Sequence, residues 1–126
     1  MFKMIFATLL ILCLLSPAHA QKRELADGSD FNPQLSAQLV KEGALLIDVR
    51  TLAEFRRGHI NNAMHIPLNE LSMRVKEIEK RLGGDKSKPI VLYCQSGRRS
   101  GVAKEKLRKL GYRTVVNHGG IATWSK

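Results

Sequence analysis

The stretch VLYCQSGRRSG, residues 91–101, is an apolar run that stops on a cysteine, turns through a glycine beside two arginines, and opens onto helical spacing. Read as strand, loop and helix start, it puts Cys94 at the carboxyl end of a strand rather than inside one. A packing cysteine belongs within the apolar run, and a disulfide cysteine needs a partner. Neither description suits Cys94.

Working outward from this stretch, Pro89 leads into the strand at residues 90–93. Downstream, Ala103, Leu107 and Leu110 keep helical spacing over residues 100–110, and Gly111 stops the helix. Residues 112–116 read as a last strand, and Gly119 and Gly120 lead to a final turn holding Trp124. Upstream, Asn32 and Pro33 form an N-cap and first-turn signal for a helix to about Lys41. Residues 44–49, ALLIDV, are an apolar run suited to a strand buried on both faces. Residues 51–57 predict a short helix stopped by Gly58, and residues 63–66 a short strand ended by Pro67. Leu68, Leu71, Val75, Ile78 and Leu82 form one stripe of a 3.6-residue period, closed by Gly83 and Gly84. Strands alternating with helices in this way predict an α/β fold, a parallel sheet flanked by helices on both faces. Ligands of such sheets sit beyond the carboxyl ends of the strands, where Cys94 lies.

The first twenty residues stand apart from this pattern. Lys3 is followed by an apolar run of about twelve residues, short of the ~20 needed to span a bilayer. Ser16 and Pro17 break it, and Ala18-His19-Ala20 places small residues two apart. That layout predicts a signal peptide at residues 1–20 and an exported, periplasmic domain at residues 21–126, with residues 21–30 an exposed lead-in. Cys13 falls in the leader and lacks the small residue that precedes a lipid-modified cysteine. Cys94 then remains as a lone thiol in an oxidising compartment, which points to reactivity. No membrane attachment is expected after cleavage.

The chain of 126 residues carries a formal net charge of +10. Such a balance suits nucleic acid, but an exported domain seldom meets any, and small anions are the narrower target. Around Cys94 the attraction has a local basis. A free thiol titrates at about 8.5, so only ~3% is thiolate at neutral pH. A helix N-terminus near Ser100 and the charges of Arg98 and Arg99 should lower that value. A drop of about two units corresponds to about 2.7 kcal/mol. Gly97 lets successive N–H groups turn inward as an anion cradle. There is no C-x-x-C for a dithiol cycle, and His59, His65 and His118 show no metal-ligand spacing, so neither metal nor cofactor is expected.

Three stretches resemble the rhodanese (sulfurtransferase) family: LLIDVRTLAEFRRGHINNAMHIPL at residues 45–68, VLYCQSGRRS at 91–100 and NHGGIATW at 117–124. The layout is similar to small single-domain periplasmic members of the phage-shock protein E type. The resemblance implies a rhodanese-like fold and thiosulfate sulfurtransferase activity through a Cys94 persulfide, with cyanide or a thiol as acceptor and no nucleic-acid partner. By position, it makes Cys94 the nucleophile and Gln95, Ser96, Gly97, Arg98, Arg99 and Ser100 the substrate-binding loop. Asp48, Arg50, Glu54 and Gly119 become supporting residues, with Arg50 and Glu54 expected as a structural ion pair. A monomer is expected.

Two alternatives follow from the same residues. One is a persulfide carrier or stress-response module that holds sulfur without turnover. The other is a Cdc25-like phosphatase or arsenate reductase, which uses C-x5-R. Here Ser100 occupies the arginine place of that pattern, and Arg99 follows Cys94 after only four residues. The shorter reach favours sulfur over phosphate.

Overall fold

The computed structural model describes residues 31–125. Asn32 caps the first helix, α1 (Pro33–Lys41), by accepting from Leu35 N–H through its side chain, and Pro33 supplies the preset first turn. Strand β1 (Leu45–Asp48) follows, then α2 (Leu52–Arg57), whose Thr51 and Glu54 form a reciprocal capping box. The short β2 (Met64–His65) and a 3-10 turn at Leu68–Glu70 precede α3 (Leu71–Arg81). Strand β3 (Ile90–Cys94) leads into α4 (Arg98–Lys109), and β4 (Val115–Gly120) ends in a 3-10 turn, Ile121–Thr123.

The strands lie in the order β2-β1-β3-β4, and every pairing is parallel. Alternation along the strands builds two cores. Leu45, Ile47, Ile90, Leu92 and Cys94 face one side and pack with Leu71 and Ile78 of α3 and Ala103 and Leu107 of α4. Leu46, Val91 and Tyr93 face the other and meet Leu39 and Val40 of α1 and the Ile121–Trp124 segment. Helices therefore cover both faces, which is why β1 and β3 show unbroken apolar runs instead of alternation. Ile90, Val91, Leu92 and Tyr93 are all fully buried, and each apolar side chain of this kind contributes about 1.5–3 kcal/mol of burial free energy.

Three elements differ from the sequence reading. The stripe at residues 68–82 begins as a 3-10 turn, with Leu82 as the C-cap of α3. Helix α4 starts at Arg98, two residues before Ser100. The last strand is not residues 112–116 but Val115–Gly120. Its register with β3 jumps from Leu92↔Asn117 to Tyr93↔Gly119, leaving His118 as an extra residue. That bulge, together with a polar Asn117 and two glycines, erases the apolar pattern by which a strand is recognised.

The sequence-predicted leader and lead-in lie outside the described residues. Among the described residues, no helix is long and apolar enough to cross a membrane.

Candidate active site around Cys94

Parallel pairing brings the carboxyl ends of β1, β3 and β4 to one edge, with Asp48 opposite Tyr93 and Cys94 opposite Gly120. Cys94 is fully buried there. Its Sγ accepts from Gly97 N–H at 3.0 Å and Ser100 N–H at 3.5 Å, with Ser100 Oγ at 3.3 Å. Burial by itself pushes the thiol up. The Ser100 hydroxyl and the N–H groups of Ser100, Ser96 and Gly97 outweigh it and hold Cys94 below its ordinary value. The N–H cradle expected at the helix start thus leads, joined by the Ser100 hydroxyl and ahead of the arginine charges.

The loop curls this way because Gly97 takes a left-handed conformation, φ 96°, as the N-cap of α4. A side chain there would also strike the Phe31 ring, with Cζ 2.6 Å from an added Cβ. Phe31 pairs across to Asn117, so a residue just outside the first helix covers the loop after Cys94 at Gly97. At the other side Gly120 lets β4 approach the loop, since a Cβ would lie 2.6 Å from the Gln95 carbonyl oxygen.

Asn117 ties these parts together. Its Oδ1 accepts from Ser100 Oγ at 2.7 Å and Gly119 N–H at 2.9 Å, and its Nδ2 donates to the Gly97 carbonyl at 3.0 Å. The Ser100 hydroxyl has one proton and three acceptors in reach: Asn117 Oδ1, the Gly97 carbonyl and the Cys94 sulfur. Ser100, in the place that C-x5-R gives to arginine, therefore puts a hydroxyl within 3.3 Å of the sulfur.

The ion pairs are not those expected. Arg50 does not meet Glu54. It folds back on Asp48, donating through its Nε and Nη2, and reaches the Gly58 carbonyl at 2.6 Å. Two residues apart at a strand end, the Asp48 and Arg50 side chains share one side, so the shorter partnership wins. Glu54 is taken by Arg99, Nη1–Oε1 2.6 Å and Nη2–Oε2 2.9 Å. That bidentate contact holds the Glu54 carboxyl down at about 2. Arg98 is exposed and has no carboxylate partner among the described residues.

Of the sequence-predicted residues, the fold gathers Cys94, Gly97 and Ser100 at the sulfur, with Gln95 and Ser96 exposed beside it. Gly119 is buried under Phe31, donating to Asn117. His59 and His65 stack on the two sides of Phe55, at 3.7 and 4.4 Å between ring centres. A cavity of about 550 Å³ opens here, lined by Arg50, Glu54, Arg57, Gly58, Gln95 and Ile121. Phe31, Arg57, Asn117 and Ile121 were not singled out from sequence. Asn117 lies one residue past the strand read at residues 112–116, inside the observed β4.

A family model described as "Rhodanese-like domain" matches residues 32–126. The chain belongs to the rhodanese-like family. This rhodanese is 39% identical over 75 residues to "Thiosulfate sulfurtransferase PspE" of Escherichia coli, covering 60% of this chain and 68% of that one. It is 45% identical over 82 residues to "Uncharacterized protein YqhL" of Bacillus subtilis, 64% of this chain and 60% of that relative's length. Among solved structures, "rhodanese with anions from E. coli" superposes with a TM-score of 0.59 at 36% identity, covering 66% of this chain and 93% of the other. The parallel sheet with flanking helices is the rhodanese-like fold that the sequence led one to expect.

Proposed function

We propose that this rhodanese is a thiosulfate sulfurtransferase working through a persulfide on Cys94. The observation that carries the reading is a fully buried sulfur whose ionisation is nonetheless favoured, because N–H and O–H donors converge on it. The Cys94 thiolate attacks the outer sulfur of thiosulfate. The new S–S bond forms as the old one breaks, and sulfite leaves with the bonding pair. Cyanide or a thiolate then attacks the outer sulfur of the persulfide, and Cys94 departs as thiolate. Two half-reactions on one nucleophile give ping-pong kinetics.

The Ser100 proton follows the charge. While Cys94 is a thiol, the hydroxyl serves Asn117, and the S–H can donate to Ser100 Oγ. On ionisation the hydroxyl turns to Sγ and joins the Gly97 and Ser100 N–H groups, which are in place before the charge appears. Arg98, with no carboxylate to neutralise it, attracts the dianion, while Arg99 is engaged with Glu54. The E. coli structure described as "rhodanese with anions" supports an anionic ligand for this chain.

The test is steady-state sulfite release from thiosulfate with cyanide, wild type against Cys94→Ala. Turnover confined to wild type is expected, and turnover equal in both overturns the reading. Thiosulfate-treated protein should gain the mass of one sulfur atom, and cyanide should remove it. A stable adduct without turnover would mark a carrier instead. We further propose that residues 1–20 direct export to the periplasm. N-terminal sequencing of protein from a periplasmic extract should then begin at Gln21.

A further inference from the structure

The cavity at Gln95, the residue after Cys94, has a neighbour. Ile121, which lines the 550 Å³ cavity with Gln95, also lines a second cavity of about 630 Å³ with His59, Ile60, Asn61 and Trp124. Gly58 faces the first cavity and its neighbour His59 the second. The two cavities therefore adjoin at Ile121, with the residues 58–61 segment along one side and the Ile121–Trp124 segment along the other. Each has the volume of an ordinary small-molecule site.

Their chemistry differs from one end to the other. In the first cavity, Arg50 is neutralised by Asp48 and Glu54 by Arg99, so Arg57 is the lining charge without a partner among the described residues. The second is walled by Ile60, Ile121 and the Trp124 ring, which stands edge-on to His118 at 4.9 Å. His59 is held flat on Phe55, and its Nδ1 is tied to the Phe55 carbonyl at 3.0 Å. The two cavities thus run from a cationic end at Gln95, the residue after Cys94, to an apolar, ring-lined end.

We propose that this second cavity is an acceptor subsite for a low-molecular-weight thiol with an apolar alkyl or aryl body. The body lies against Trp124, Ile121 and Ile60. The sulfur points back into the first cavity, where Arg57 favours its thiolate form. The acceptor thiolate attacks the outer sulfur of the persulfide. Its new S–S bond forms as the bond to Cys94 breaks, and the electron pair leaves on Cys94. This rests on the sulfurtransferase reading above.

Trp124 is the chain's single tryptophan, so its emission reports on the cavity directly. Benzyl methyl sulfide, a thioether that cannot take sulfur from the persulfide, should change that emission saturably. Asn61→Phe, which fills the cavity from its exposed rim, should abolish the change. In turnover, kcat/KM for benzyl mercaptan should exceed that for 2-mercaptoethanol by about tenfold, as expected from burying ~60 Å² of apolar surface. The ratio of kcat/KM for benzyl mercaptan to that for cyanide should fall by about the same factor in Trp124→Ala and in Asn61→Phe. No saturable emission change in wild type, or equal kcat/KM for the two thiols, overturns the subsite. Absence of cyanide turnover in wild type overturns the sulfurtransferase reading instead, and the thioether titration still decides whether the cavity binds an apolar body.

Discussion

Arg99 of α4 clasps Glu54 of α2 with both terminal nitrogens, 2.6 and 2.9 Å from the two carboxylate oxygens. The same carboxylate takes Thr51 N–H and hydroxyl, at 3.2 and 3.1 Å, and so closes the cap of α2. One side chain therefore serves a helix start and a tie between helices from distant parts of the chain. An arginine two helix positions from the loop glycine is spent on architecture, while Arg98 has no carboxylate partner among the described residues.

Acid should weaken this tie. The Glu54 carboxyl titrates at about 2 in the folded protein, against about 4.3 in an unfolded chain. A depressed carboxylate stabilises the fold above the unfolded value and loses that contribution as pH falls through the folded one. Both side chains are partly exposed, so the tie is worth about 1 kcal/mol after screening. Glu54→Gln should lower stability by that amount at pH 7. The difference should shrink between about pH 4 and pH 2, read from urea midpoints at each pH.

Ser100→Ala should move the active thiol toward alkaline pH. It removes the Ser100 hydroxyl from Sγ while leaving the backbone donors of Gly97 and Ser100 in place. A hydrogen bond to a charged group is worth about 1.5–3 kcal/mol, equivalent to about one to two pKa units. The rate of iodoacetamide alkylation against pH should show that shift. An unchanged profile would mean that the backbone donors alone set the thiolate.

The Gly97–Phe31 contact invites a double-mutant cycle. Gly97→Ala meets three obstacles, a left-handed backbone that costs about 1–2 kcal/mol, a collision with the Phe31 ring and a close approach of 3.0 Å to the Gly119 Cα. Phe31→Ala removes only the second. The cost of Gly97→Ala should therefore be about 1 kcal/mol smaller in the Phe31→Ala background. Chemical denaturation of the four proteins measures it, and strict additivity would show that the ring yields freely.

Asp48→Asn should be the most damaging of these changes to stability. Asp48 is fully buried and Arg50 nearly so. Removing the carboxylate charge leaves a buried guanidinium uncompensated, at a cost of about 3–5 kcal/mol. Asp48→Asn combined with Arg50→Met should recover much of the loss, because no charge then remains inside. Thermal unfolding of the single and double variants is the check.

Much of this protein was legible along the chain. The unbroken apolar runs at β1 and β3, the stripe of α3 and the Asn32-Pro33 start are local patterns with local causes. So is the position of Cys94 at a strand end before Gly97 and a helix start. Burial period, capping and turn chemistry act over a few residues, and those interactions determine the α/β order and single out Cys94. Strand β4 was misplaced because its bulge at His118 and its buried Asn117 are stabilised by β3 and the loop, not by neighbours in sequence. Glu54 finds Arg99, 45 positions away, while Arg50 turns to Asp48. Phe31 covers Gly97, and Ile121 joins two cavities. Each depends on which carboxyl ends the parallel sheet sets side by side. Partner choice for a charge or a ring is a competition among neighbours in space, and the sheet order β2-β1-β3-β4 chooses those neighbours.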